Sequence, residues 1–257
     1  MQYLAKISYL GTGFCGSQVQ PGKRTVQGEL NRATAALFHC PCAITGCSRT
    51  DSGVHALAYY VSIVPQQPSL CARIPADRLH YAIRPYLPDD ISVLAAQEMP
   101  DAFHPRYSVR EKEYRYEVWN AAQPSPFLRG RAWHYPRHVD ARALQDMQAA
   151  AKELVGTHDF ASFMAQGSHV TDTVRTVFHC TCERNGDFLR FRVRGNGFLY
   201  HMVRIMVGTL LGVAEGKYRP DGMRQILLQR DRKQAGETAP AEGLYLFDVK
   251  YNPPVFL

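Results

Sequence analysis

Apolar residues recur along the chain in two rhythms. Over residues 2–10, Tyr3, Ala5, Ile7 and Tyr9 alternate with Leu4, Lys6 and Ser8, the period of a strand with one face on a core. A glycine-rich stretch runs to Lys23. Thr25 then stands where it can cap a helix to about residue 38, with Leu30, Ala33 and Leu37 on one face. Strands are predicted over about 42–48 and 54–64, a helix over about 76–85 closed by Pro85, and a strand over about 91–98. A similar order then resumes. It comprises a long strand at about 107–119, a proline-bearing loop at 121–131 and a helix capped by Asp140 to about Val155. Two strands, about 173–184 and 187–194, flank Asn185-Gly186, a tight-turn signal. Helices over about 199–215 and 220–230 and a strand near 244–251 complete the chain.

Strands joined by short turns, with helices between the groups, define an α+β fold of mainly antiparallel sheet. The repeated order divides the chain into two similar α/β units, residues 1–104 and 105–257. A helix over 199–215 would carry a polar stripe of His201, Arg204 and Gly208 opposite Leu199, Val203, Met206 and Leu210.

Composition narrows the function classes. Of 257 residues, 46% are hydrophobic and 21% charged, which excludes a disordered chain and a fibre. The most apolar stretch, Phe198 to Ala214, is interrupted by His201 and Arg204, so no membrane span is expected. The start of the chain lacks a signal-peptide layout, so a cytoplasmic protein with free thiols at its seven cysteines is expected. The net charge of +7 favours an anionic partner, and the 30 basic residues are mostly arginine, the better fork for phosphate.

Two motifs resemble ligand sites but fail on physical grounds. Gly11-Thr12-Gly13-Phe14-Cys15-Gly16 fits a dinucleotide fingerprint after a strand, yet Pro21 and Gly22 keep a helix from opening there, so no nucleotide cofactor is expected. His39-Cys40-Pro41-Cys42 and His179-Cys180-Thr181-Cys182 share a His-Cys-x-Cys pattern. The single intervening residue is poor spacing for tetrahedral zinc, and no metal is expected.

The stretch Ser48-Arg49-Thr50-Asp51-Ser52-Gly53-Val54-His55-Ala56 carries the strongest chemical signal. In extended geometry Arg49 and Asp51 share a face, and an arginine beside a carboxylate keeps it ionised. This stretch closely resembles the G-R-T-D-x-G-V-H-A motif of the bacterial tRNA pseudouridine synthase A family. Further matches follow in order, among them 25–30, 87–91, Phe103-His104-Pro105-Arg106-Tyr107-Ser108, Tyr114-Arg115-Tyr116, 156–160, Val174-Arg175, 198–204 and 241–246. The resemblance implies an enzyme isomerising uridine to pseudouridine at positions 38–40 of the tRNA anticodon arm. It also implies that no cofactor is needed and that the enzyme acts as a homodimer, and an active-site cleft between the two units is expected. It implies Asp51 as catalytic carboxylate, Arg49 as its partner, and Tyr114 stacking on uracil. Arg175, His201, Arg204 and Leu244 are the remaining substrate contacts it implies. Departures are Leu10 for Asp, Ser17 for Trp, Met164 for a basic residue, and Glu111 and Glu113 where some members are basic.

One expectation rests on the residues alone. Arg190, Arg192 and Arg194 alternate on a strand face opposite Leu189, Phe191 and Val193, and are expected to track tRNA phosphates.

Overall fold

The computed structural model describes residues 2–67, 71, 73–168 and 170–256. The chain forms two compact units, one of Met1–Arg110 with Leu246–Leu257, the other of Glu111–Tyr245.

In the first unit β1 (Gln2–Tyr9) is followed by a single 3-10 turn at Gly11–Gly13 and by α1 (Val26–Phe38). Thr25 caps α1 as the sequence suggests, accepting from the Gly28 amide. Then come β2 (Cys42–Gly46), β3 (His55–Pro65), a short α2 (Leu79–Ile83) and β4 (Ile91–Met99). The predicted helix at 76–85 is α-helical only over α2. Prolines at 75 and 85 flank it, and 3-10 turns at Ala76–Arg78 and Arg84–Tyr86 take up the remainder. β1 lies between β3 and β4, antiparallel to both, and β2 pairs antiparallel with the far end of β3. Being central, β1 buries Tyr3, Leu4, Ala5 and Ile7 completely, and the Tyr3 ring stacks on Phe38 at 5.7 Å.

The second unit begins with β5 (Val109–Trp119), whose first two residues belong to the first unit, and with a two-residue strand β6 (Trp133–His134) parallel to it. α3 (Ala141–Glu153) follows, with Asp140 accepting from the Ala143 amide at its start. β7 (Gly156–Asp159), absent from the sequence reading, pairs with β8 (Val174–Asn185). β8 turns at Asn185-Gly186 into β9 (Phe188–Gly195), which pairs with β5. The core face carries Tyr116, Val118, Leu189, Phe191, Val193, Cys180 and Cys182. α3 packs against β8 of this sheet and against α4 (Met202–Ala214), which is followed by α5 (Met223–Gln229). β10 (Leu244–Tyr251) starts in the second unit and continues into the first.

Two expectations are corrected here. α4 begins at Met202, and His201 precedes it in the left-handed region at φ 59°, so His201 does not share a helical stripe with Arg204. Gly208 serves packing. A Cβ there would stand 2.0 Å from the Glu237 carbonyl oxygen, so the 235–239 segment can lie directly on the helix. The second correction concerns the thiols. Cys40 and Cys71 form a disulfide, a pairing across 31 residues that spacing does not reveal. Among the described residues no helix is long and apolar enough to cross a membrane.

Candidate active site

In the first unit the glycine-rich loop after β1 holds the 49–54 loop in place. Thr50 is gripped from both sides of its peptide: its amide donates to Ser17 Oγ at 2.8 Å, and its carbonyl accepts from the Ser17 amide at 3.1 Å. Its hydroxyl meets the Tyr9 hydroxyl at 2.8 Å. Ser17 and Thr50 are only 3% and 8% exposed, so these bonds lie out of water. One residue on, the Phe14 carbonyl accepts from Ser52 Oγ at 3.1 Å and from the Gly53 amide at 3.3 Å. Asp51 O accepts from the Val54 amide at 3.2 Å and closes a turn. The Asp51 side chain is therefore presented, half-buried, from a loop tied down on both sides of it.

The glycines make this contact possible. Gly16 sits at φ 87°, and a Cβ there would lie 2.8 Å from the Thr50 carbonyl oxygen. A Cβ on Gly11 would lie 2.0 Å from the Val54 carbonyl oxygen. The Gly11 amide donates to His55 Nδ1 at 2.9 Å, so a neutral His55 carries its proton on Nε2. The pattern that resembles a nucleotide fingerprint is thus a template for the Asp51 loop. Arg24 anchors its far end, with two bonds to Asp90 at 2.7 and 2.8 Å and its guanidinium 4.2 Å over the Phe14 ring.

Arg49 does not pair with Asp51. Its exposed side chain lines a pocket beside the loop and has no ion-pair partner among the described residues.

In the second unit, residues 195–204 connect most of the implied substrate contacts. Tyr114, only 7% exposed, meets the Phe198 ring edge-on at 5.2 Å. Arg175 passes within 3.6 Å of where a Gly197 Cβ would stand and donates to the Asp172 and Val174 carbonyls. The His201 ring lies 3.9 Å from Tyr200. Arg204, the one charged side chain in buried α4, donates from Nε to the Ala239 carbonyl at 2.7 Å. That bond, together with Tyr116 Oη to the Pro240 carbonyl at 2.7 Å, fixes the loop leading to buried Leu244.

The arginine row has a use of its own. Register places Glu113 opposite Arg194, Arg115 opposite Arg192 and Glu117 opposite Arg190. Arg190 pairs directly with Glu117 at 2.8 Å, and Arg192 diagonally with Glu113 at 2.9 Å. Arg194 stands 3.7 Å from Glu111. The Glu111 and Glu113 departures and the arginine row are therefore two sides of one cross-strand lattice.

The cysteines of the second His-Cys-x-Cys segment face the core. Burial pushes both the Cys180 and Cys182 thiols up to about 12, while His179 bonds with Thr181 on the other face. In the first segment Cys40 is held in its disulfide.

A family model described as tRNA pseudouridine synthase matches residues 150–252. Over 254 residues the chain is 44% identical to tRNA pseudouridine synthase A of Bacillus subtilis, covering 98% of this chain and 100% of that one. The Bacillus pumilus protein of the same description gives the same figures. That of Acetivibrio thermocellus is 43% identical over 245 residues, or 95% of this chain and 97% of that one. Among solved structures, one described as a Cbf5-Nop10-Gar1 complex superposes with a TM-score of 0.35 at 12% identity, over 80% of this chain and 43% of that one. Identity at this level over almost the entire length shows that the chain belongs to the tRNA pseudouridine synthase A family.

Proposed function

We propose that this chain isomerises uridine to pseudouridine in the anticodon stem-loop of tRNA, at positions 38–40, with Asp51 as the catalytic carboxylate. The reaction breaks the N1–C1′ bond, turns the uracil, joins C5 to C1′, and exchanges the C5 proton for one on N1. Atoms and electrons balance within the substrate, so the chemistry calls for no redox partner. Asp51 acts ionised, at the sugar carbon or on a sugar proton. Tyr114 stacks on the uracil, and Arg175, His201, Arg204 and Leu244 contact the nucleotide. Arg49 acts on the RNA as a cation beside Asp51. The acting form is a homodimer in the cytoplasm.

The observation that carries the role of Asp51 is the double hydrogen bond between Ser17 and Thr50, which preorganises the loop presenting it. The test is Asp51→Asn, which keeps size and most hydrogen bonding but removes the charge. It should fold and bind tRNA within a few-fold of wild type, because affinity is spread over many phosphate contacts, yet form no pseudouridine. Product formation near the wild-type rate overturns the assignment. A folded variant that no longer binds tRNA makes Asp51 a recognition residue.

A further inference from the structure

Next to the Asp51 loop the first unit holds a pocket of about 210 Å³. Val26, Leu30, Ile44 and Val61 give it an apolar floor, and Arg49, His104, Arg106 and Tyr107 stand at its rim. Ser17, which grips Thr50, is part of its wall.

The rim is built to present an aromatic face. Tyr107 is 78% exposed, yet its position is fixed. The Arg106 and Tyr107 amides both donate to His104 Nδ1 at 3.2 Å, and the Ser108 amide donates to the His104 carbonyl at 3.0 Å. The imidazole lies 4.3 Å from the Tyr107 ring at an interplanar angle of 28°, so one face of the tyrosine is covered by His104. The Arg106 guanidinium is 5.9 Å from the same ring. Neither Arg106 nor Arg49 has a carboxylate partner among the described residues, unlike the paired row on β9. Gln18, also lining the pocket, is exposed, and its side-chain amide makes no hydrogen bond among the described residues.

An ordered aromatic face, two unpaired guanidiniums, an unused amide and an apolar floor match the parts of one nucleotide: a ring to stack, a phosphate to neutralise and a base edge to bond. We propose that this pocket is a second nucleotide subsite. It takes one unstacked nucleotide of the RNA substrate, next to the uridine that reacts, with its base against Tyr107 and its phosphate at Arg49 and Arg106. This rests on the reading above that the substrate is RNA. A nucleotide held here would keep the neighbouring uridine from returning to its stack, which lowers the cost of extruding it.

The probe is a tRNA anticodon stem-loop carrying 2-aminopurine at one or other nucleotide flanking the target uridine. With wild-type protein, one of the two positions should change its fluorescence on binding. Tyr107→Ala should abolish that change and weaken stem-loop binding by roughly 5- to 100-fold, the range for loss of one base–aromatic stack. Tyr107→Phe should retain both, because the ring rather than the hydroxyl is used. The subsite is overturned if neither position responds, or if Tyr107→Ala matches wild type in fluorescence and binds within twofold. Pseudouridine formation in the same stem-loop separates the two readings. Product with no Tyr107-dependent signal removes the subsite alone, and a Tyr107-dependent signal without product removes the proposed reaction alone.

Discussion

Ser17→Ala is the sharpest test of how the Asp51 loop is held. It deletes Oγ, the acceptor of the Thr50 amide at 2.8 Å, and leaves the reverse bond from the Ser17 amide to the Thr50 carbonyl intact. With both residues almost fully buried, no water replaces the lost acceptor. An unsatisfied buried amide costs about 1–3 kcal/mol. For a chain of this size each kcal/mol corresponds to roughly 2–4 °C in Tm. If the loop instead relieves the amide by shifting, the cost moves to catalysis, where about 1.4 kcal/mol is a factor of ten in rate. The expected outcome is a kcat lowered about 5- to 150-fold, with KM for tRNA nearly unchanged since phosphate contacts elsewhere are untouched. Tyr9→Phe is the graded comparison. It removes the hydroxyl that meets the Thr50 hydroxyl while leaving both Ser17–Thr50 bonds, and should cost about 1 kcal/mol and less than fivefold in kcat. Steady-state kinetics and thermal melts on the same preparations decide the matter. A Ser17→Ala enzyme with wild-type kcat, whatever its Tm, would show that the amide bond to Thr50 does not position Asp51.

Arg192→Gln and Arg194→Gln should each lower stability by roughly 0.5–1 kcal/mol in denaturant unfolding, because each removes one ion pair between β9 and β5. The slope of log Kd for tRNA against log salt should move by less than one unit per substitution, and a full unit each would assign the row to phosphate contacts after all. In thiol titration of native protein at pH 8, Cys180 and Cys182 should not react, because burial holds both thiols up to about 12 and the thiolate is the reactive species; reaction of either at a free-thiol rate would contradict the packing of β8 on α3.

Local signals are legible in the sequence where the chain obeys a single period. Thr25 and Asp140 cap their helices, Asn185-Gly186 turns β8 into β9, and the Asp51 loop stands between β2 and β3. The long-range bonds were not legible. Nothing in the spelling of Gly11 to Ser17 says that this stretch hydrogen-bonds to residues 50–55, because the contact spans more than thirty residues and at least one partner in each bond is a backbone group that every residue carries. The same holds for Cys40 and Cys71. The helical stripe through His201 failed for a local reason: a left-handed residue at 201 delays the helix, and a periodicity count treats the stretch as continuous. Arg190, Arg192 and Arg194 share one face, as their alternation predicts, but a strand's own sequence does not name the strand it pairs with, so the opposing carboxylates of β5 are not legible from it.

The pairing of these arginines bears on what a net charge of +7 can mean. A count of arginines suggests where RNA lies only if the arginines are unspent. On β9 three guanidiniums face three glutamates and contribute little field at a distance. Arg24 is committed to Asp90, and Arg137 shares Glu215 with Lys217. Arg49 and Arg106 are fewer in number but have no carboxylate beside them, and both stand at the rim of one pocket next to Asp51. Screening in water makes nearby unpaired charge count for more than distant paired charge. Recognition of a phosphate should therefore be strongest beside the Asp51 loop, while the guanidiniums of the Arg-rich sheet face are paired with carboxylates of β5.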